Sequence, residues 1–289
     1  LLAFIGGKAE SALLMDAFNI LLEEDIFRTN PQALEKLNGW VKARDASRQP
    51  AAMYAMGSLL LEKDDLSGAV KMAEEGLSKY PQSLPVQILS LNTITVLLDK
   101  NRLQDAERLI SKYPGSSPDL VFQQGALAFL KKDYSLAQKL FREAARRASE
   151  TTAENALFNE NLAALNANDA SGAAALIKEA AGSSRLRESI LFEQAHYAAK
   201  RMAPQAAELL ANFITLAETP ALKTQARLDQ VEVALNLNPP DLETVQAILP
   251  LLEKEQLSPE QTMQLARLNI LEAESRQTGV SGRKRRLVL

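Results

Sequence analysis

Apolar and polar positions along this chain recur with two periods at once. Locally, small and apolar residues fall at i, i+4 and i+7, the spacing that gathers them on one face of a helix. Over longer stretches, whole groups of such positions return after roughly 34 residues, which is the mark of a helical repeat array. Five segments share one template when aligned on the small residue of a second helix: Ala69, Ala106, Ala137, Ala173 and Ala206. Four residues later stand Ala73, Ile110, Phe141, Ile177 and Leu210, and seven later Gly76, Tyr113, Ala144, Ala180 and Phe213. Nine earlier, in the preceding helix, stand Leu60, Leu97, Ala128, Ala164 and Tyr197. The pattern predicts antiparallel helix pairs. A small anchor lets two helices approach closely, and a large side chain there would push them apart.

Turn residues punctuate the same template. Lys63-Asp64-Asp65, Lys100-Asn101, Lys132-Asp133 and Asn168-Asp169 are short polar connections between paired helices. Pro81 and Pro118 stand where a second helix ends and the next repeat begins. The spacing is uneven: the segment from Leu84 to Ser117 carries a few extra residues. The glycine at position 57 is replaced by Asn161 and Gln194 in later repeats. The expected organisation is an N-terminal helical hairpin or cap over 1–49, with helices from about Lys8 to Glu24 and from Pro31 to Arg44. About five repeats follow over 50–219. Atypical helices over 220–278 cap the array, because the terminal unit of a stack must meet water on one face. They include one near Leu242 to Lys254 and one opened by Ser258 as N-cap with Pro259 in the first turn. Residues 279–289 read as a basic, flexible tail.

Composition agrees with an all-α fold: aromatics make up 5% of the chain, glycines number 12, and strand-like runs are nearly absent. A net charge of -3 gives no global attraction to nucleic acid or anionic lipid. The chain has no cysteine, which excludes disulfides and thiolate metal sites and suits cytosol or bacterial periplasm equally. No internal apolar run approaches the ~18 residues of a membrane span. The ends are open to more than one reading. Leu1-Leu2-Ala3-Phe4-Ile5 fits the tail of a removed signal or anchor and equally the first turn of a helix. Arg283-Lys284-Arg285-Arg286 before Leu287-Val288-Leu289 fits a segment preceding a membrane helix, a nucleic-acid or localisation patch, or a solvated tail.

These residues carry a family likeness. The chain resembles the tetratricopeptide repeat family at Met53, Met56, Gly57, Leu60, Ala69, Ala73, Gly76 and Pro81. It does so again at Val121, Gln124, Gly125, Ala128, Ala137, Phe141 and Ala144. The likeness covers roughly Pro50 to Glu218, with departures: no Trp opens a repeat, Gln124 replaces a usual apolar residue, and Ser149 stands where Pro is common. What the resemblance implies is a right-handed α-solenoid of helical hairpins whose concave face binds a peptide or helix. Family members that clamp the carboxylate terminus of chaperones use Lys and Asn on that face. Tyr54, Ser58, Phe122, Ala126 and Leu130 supply neither, so that activity is not expected.

Catalytic sets are hard to assemble. His196 is the only histidine, which excludes most metal sites built on imidazole; it fits a helix surface or a position between repeats better than a catalytic role. Nothing near it supports a strained nucleophile turn. Gly6-Gly7-Lys8 lacks the frame of a phosphate loop, so no cofactor is expected. Glu23-Glu24-Asp25 and Glu74-Glu75 read as solvated faces rather than acid–base pairs. The sharper signal lies on the first helix of each pair. Tyr54, Leu91, Phe122, Phe158 and Leu191 occupy equivalent positions, and Leu61, Leu98, Phe129, Leu165 and Ala198 follow seven residues on. The family likeness places this row in the concave groove. An apolar row there fits a groove for an amphipathic helix or extended apolar segment of another protein; it equally fits ordinary core covered by neighbouring helices. The expected function is a non-catalytic scaffold or adaptor, with Tyr54, Leu61, Leu91, Leu98, Phe122, Phe129, Phe158, Leu165 and Leu191 as the partner-binding residues. Two alternatives stand beside it: a sensor or tether segment of a larger membrane-associated or regulatory assembly, and a homodimer that uses the apolar row as its own interface.

Overall fold

The computed structural model describes Ile5 and residues 11–43 and 47–286, with side chains described for Ile5, 13–43 and 47–277. The readings of the first residues and of Gly6-Gly7-Lys8 therefore fall outside the described residues, Ile5 excepted. Among the described residues the chain is all-helical, without a strand. The helices are α1 (Ser11–Glu23), α2 (Ile26–Thr29), α3 (Pro31–Lys42), α4 (Gln49–Glu62), α5 (Leu66–Lys79), α6 (Leu84–Asp99), α7 (Leu103–Lys112) and α8 (Pro118–Leu130). They continue as α9 (Tyr134–Arg147), α10 (Glu150–Asn166), α11 (Ala170–Glu179), α12 (Ser184–Lys200), α13 (Ala206–Leu216), α14 (Pro220–Asn236), α15 (Leu242–Leu252) and α16 (Pro259–Arg286). The chain divides into two compact units, residues 1–163 and 164–289, so the division falls inside the span the sequence reads as one array. The basic cluster Arg283–Arg286, read as tail, lies on the last turns of α16; its side chains are outside the described residues.

Within each unit the helices pack in neighbouring pairs. In the first, α4 packs on α5 and α6, α5 on α6 and α7, and α6 on α7 and α8, while α8 and α9 form the closest pair. In the second, α12 packs on α13 and α14, and α14 on α15 and α16. The small anchors explain how closely. Ala69, Ala106, Ala137 and Ala206 are fully buried and Ala173 nearly so. A side chain at Gly57 would place its Cβ 2.3 Å from Leu89 Cδ1, and Leu89 is itself fully buried, so α4 and α6 meet at van der Waals distance only because residue 57 has no Cβ. The uneven spacing has its source in helix length: α6 runs 16 residues where α4 runs 14 and α8 13, and α7 only 10 where α5 runs 14.

The connections repeat a single device. Asp64, Asn101, Lys132, Asn168 and Met202 adopt left-handed backbone, with φ of 58°, 57°, 64°, 58° and 51°. The next N–H then donates back to a carbonyl of the preceding helix: Asp65 to Leu60 at 2.8 Å, Asp133 to Ala128 at 2.9 Å, Asp169 to Ala164 at 2.9 Å and Ala203 to Ala198 at 2.9 Å. This closes the first helix in the manner of a Schellman motif. Where the following residue is aspartate it also opens the second helix. Asp65, Asp133 and Asp169 accept from the N–H of Gly68 (2.9 Å), Leu136 (3.1 Å) and Gly172 (2.9 Å), each cap contributing about 1 kcal/mol. At α16, Ser258 Oγ accepts from the Gln261 N–H at 3.2 Å while Gln261 Oε1 accepts from the Ser258 N–H at 3.1 Å, a reciprocal capping box.

Candidate partner-binding site

The structure places the nine sequence-derived residues in three settings. Tyr54, Leu61 and Leu91 are half-buried on α4 and α6 and pack against the core of the first unit. Leu98, Phe122 and Phe129 come together: with Thr95, Gln123, Ala126, Leu130 and Asn159 they line one cleft of about 230 Å³. Phe158 is half-buried on α10. Leu165 and Leu191, in the second unit, are half-buried and line separate hollows of about 350 and 580 Å³.

The cleft is built by local packing. Phe122 rests on Phe141 with ring centroids 5.3 Å apart and tilted by 59°, and Phe141, at 1% exposure, fixes it from below. Phe129 meets the Tyr134 ring edge-on at 5.3 Å. These contacts hold two half-buried aromatic rings in set orientations and restrict their rotamer freedom. Leu130 completes the rim at 40% exposure. The Gln123 amide donates to the Thr95 hydroxyl at 2.8 Å and ties α8 to α6 at the polar side of the cleft. Gln123, Thr95 and Asn159 were not among the sequence-derived residues. Gln123 adjoins Phe122, but the partnership with Thr95 spans 28 residues and depends on the rotation of two helices, which periodicity does not report.

The corresponding helices of the second unit present a different surface. His196 Nδ1 lies 2.5 Å from Asp229 Oδ2, with Asp229 buried and His196 partly exposed. Gln225 Nε2 donates to Asp229 Oδ1 at 3.1 Å and to Gln264 Oε1 at 3.1 Å, and Arg267 donates to Glu232 at 3.1 Å. The Phe192 ring stacks on His196 at 5.4 Å. The hydrogen bond to Asp229 raises the pKa of His196 above its ordinary value, against the opposing effect of burial. Burial raises that of Glu193, one turn earlier. Among the described residues no group of three or more His, Cys, Asp or Glu is placed to hold a metal ion, and no described helix is long and apolar enough to cross a membrane.

Set beside known protein families, curated proteins and solved structures, the chain matches none.

Proposed function

We propose that this chain is a non-catalytic protein–protein interaction scaffold whose hairpins stack as tetratricopeptide-like repeats. Its cleft between α6 and α8 takes an apolar segment, helical or extended, of another protein. The observation that carries the reading is the pair of half-buried aromatic rings, Phe122 and Phe129, held open beside Leu98 and the exposed Leu130. A side chain destined only for core is closed over; these keep part of their surface in water, and burying that surface drives association at ~25 cal/mol per Å² before ordering costs. The repeat assignment is supported by the buried small anchors, the recurring left-handed turn, and the packing of α4, α5, α6, α12 and α14 each on the next helix and the next but one.

The test is affinity for a captured partner. Phe122→Ala and Phe129→Ala are each expected to weaken binding by about 1–3 kcal/mol. Leu130→Glu, at a position too exposed to disturb folding, is expected to weaken it as well. Unchanged affinity in all three variants, with helicity retained, would remove the cleft from the interface.

A further inference from the structure

Charge is divided unevenly between the two kinds of helix in the first unit. The first helices α4, α6 and α8, with the part of α10 up to residue 163, carry six acids and no Lys or Arg. The acids are Glu62, Asp99, Asp119, Glu150, Glu154 and Glu160. The second helices α5, α7 and α9 carry both signs. Two of the six are already neutralised: Glu62 by Arg28, and the buried Glu160 by Arg142 at 2.6 Å. Asp99 is not. It is exposed and lines the α6–α8 cleft with Leu98 and Phe129, and its carboxylate has no ion-pair or hydrogen-bond partner among the described residues. Helix stability argues against an acid there, because Asp99 is the last residue of α6, where the dipole favours a cation. Lys100, next in the chain, is paired with Asp64 at 3.0 Å. Asp119, exposed in the first turn of α8, shares the helical stripe of Phe122 and Ala126 and lies about 15 Å along the helix from Phe129. The apolar floor therefore runs between two acids, and no Lys or Arg lines the cleft.

These charges select among occupants. An acidic segment, or the phosphates of a nucleic acid, would be repelled. A wholly apolar segment would cover Asp99 and leave a carboxylate without a partner, which is costly. A segment with an apolar face on Phe122 and Phe129, and with Lys or Arg beside that face, meets both demands: its cations reach Asp99 and Asp119 while its apolar side chains fill the floor. We propose that the occupant of the α6–α8 cleft is a cationic amphipathic segment of another protein, apolar on one face and flanked by Lys or Arg, an assignment that rests on the cleft being the partner-binding surface. Affinity then comes from the aromatic floor, and the choice of partner from the acids at its ends.

Selection of a displayed library of random peptides on the full chain, with the cleft variant Phe129→Ala/Leu130→Glu as counter-selection, reads the chemistry of the occupant. Peptides enriched on wild type over the cleft variant are expected to join an apolar core to flanking Lys or Arg. A synthetic copy of one, titrated by fluorescence anisotropy, is expected to bind Asp99→Lys about tenfold more weakly than wild type and to lose affinity as NaCl rises. Asp99→Lys is expected to keep the circular dichroism of wild type, because a cation suits the end of α6. Enriched peptides with apolar cores and neutral or acidic flanks would overturn the cationic assignment while leaving the cleft as the binding surface. Unchanged affinity for Asp99→Lys would overturn it in the same way. No enrichment over the cleft variant would remove the cleft itself, and the assignment with it.

Discussion

The two units treat one repeat position in opposite ways. Ten residues before each anchor stand Leu59, Val96, Leu127 and Ala163 in the first unit and His196 in the second. Leu59, Leu127 and Ala163 are buried among apolar neighbours, and Val96 packs half-buried beside them. His196 is instead hydrogen-bonded to Asp229, one repeat further on. Where the contact is apolar, dispersion and area burial dominate between successive first helices, with the Gln123–Thr95 hydrogen bond beside them, and the aromatic cleft lies on that scaffold. Where it is the His196–Asp229 hydrogen bond, the two partners fix each other's position, at the cost of desolvating both. The difference teaches that one backbone template accepts either chemistry. At this position the first unit presents apolar side chains, while the second presents an imidazole, a carboxylate and the Gln225 amide.

Three changes break or sharpen this contrast, in descending order of effect. Asp229→Ala removes the buried half of the pair, takes the carboxylate partner from His196 and leaves the Gln225 amide with Gln264 as its remaining acceptor. Losing one member of a buried pair typically costs 3–5 kcal/mol; His196 is 28% exposed and partly hydrated, so the expected loss is about 2–3 kcal/mol in chemical denaturation.

The second change converts the second unit to the chemistry of the first. His196→Leu/Asp229→Leu replaces the pair with apolar side chains and is expected to leave stability within about 1 kcal/mol of wild type or to raise it. Its clearer signature is in pH dependence. The bond to Asp229 raises the pKa of His196, and burial raises that of Glu193, so the folded chain holds both protons more tightly than the unfolded one. Stability linked to these groups is fully present below their ordinary values, 4.5 for Glu193 and 6.5 for His196, and is lost as pH rises through the higher folded values. Thermal denaturation of wild type is therefore expected to show a fall in stability as pH climbs above 6.5. The double variant loses the histidine part of that slope. An unchanged slope would show that His196 does not titrate with folding.

The smallest effect concerns the turns. Asp64, Asn101 and Lys132 supply the left-handed residue in the first unit, and Asn168 does so in the second, but the last such turn uses Met202. Asparagine tolerates that backbone better than an unbranched apolar residue. Met202→Asn, at a position 42% exposed, is expected to raise the denaturation midpoint by the equivalent of about 0.5–1 kcal/mol.

Much of the helical framework was legible in the sequence because it rests on local physics. The small anchors, the aspartate-rich turns and the Ser258-Pro259 opening each depend on a few neighbouring residues, and each appears where the pattern put it. The pairing of His196 with Asp229 was not legible. One repeat separates them, and only the rotation of α12 against α14 brings them together. For the same reason the apolar row did not disclose its grouping. Its members share a helical face, yet Leu98, Phe122 and Phe129 converge on one cleft, while Leu165 and Leu191 line two others in the second unit. Gln261, which completes the capping box of α16, is legible from its spacing of three residues after Ser258.

The most direct test of the central claim compares the two surfaces in one capture experiment on the full chain. Wild type, a cleft variant (Phe129→Ala/Leu130→Glu) and a second-unit variant (Gln225→Ala/Gln264→Ala) would each be used as bait against extract of the native source, and the recovered proteins quantified by mass spectrometry. The account predicts a protein retained by wild type and by the second-unit variant and lost with the cleft variant. Retention by the cleft variant together with loss by the second-unit variant would contradict it and would move the binding surface to the amides and charges around Asp229.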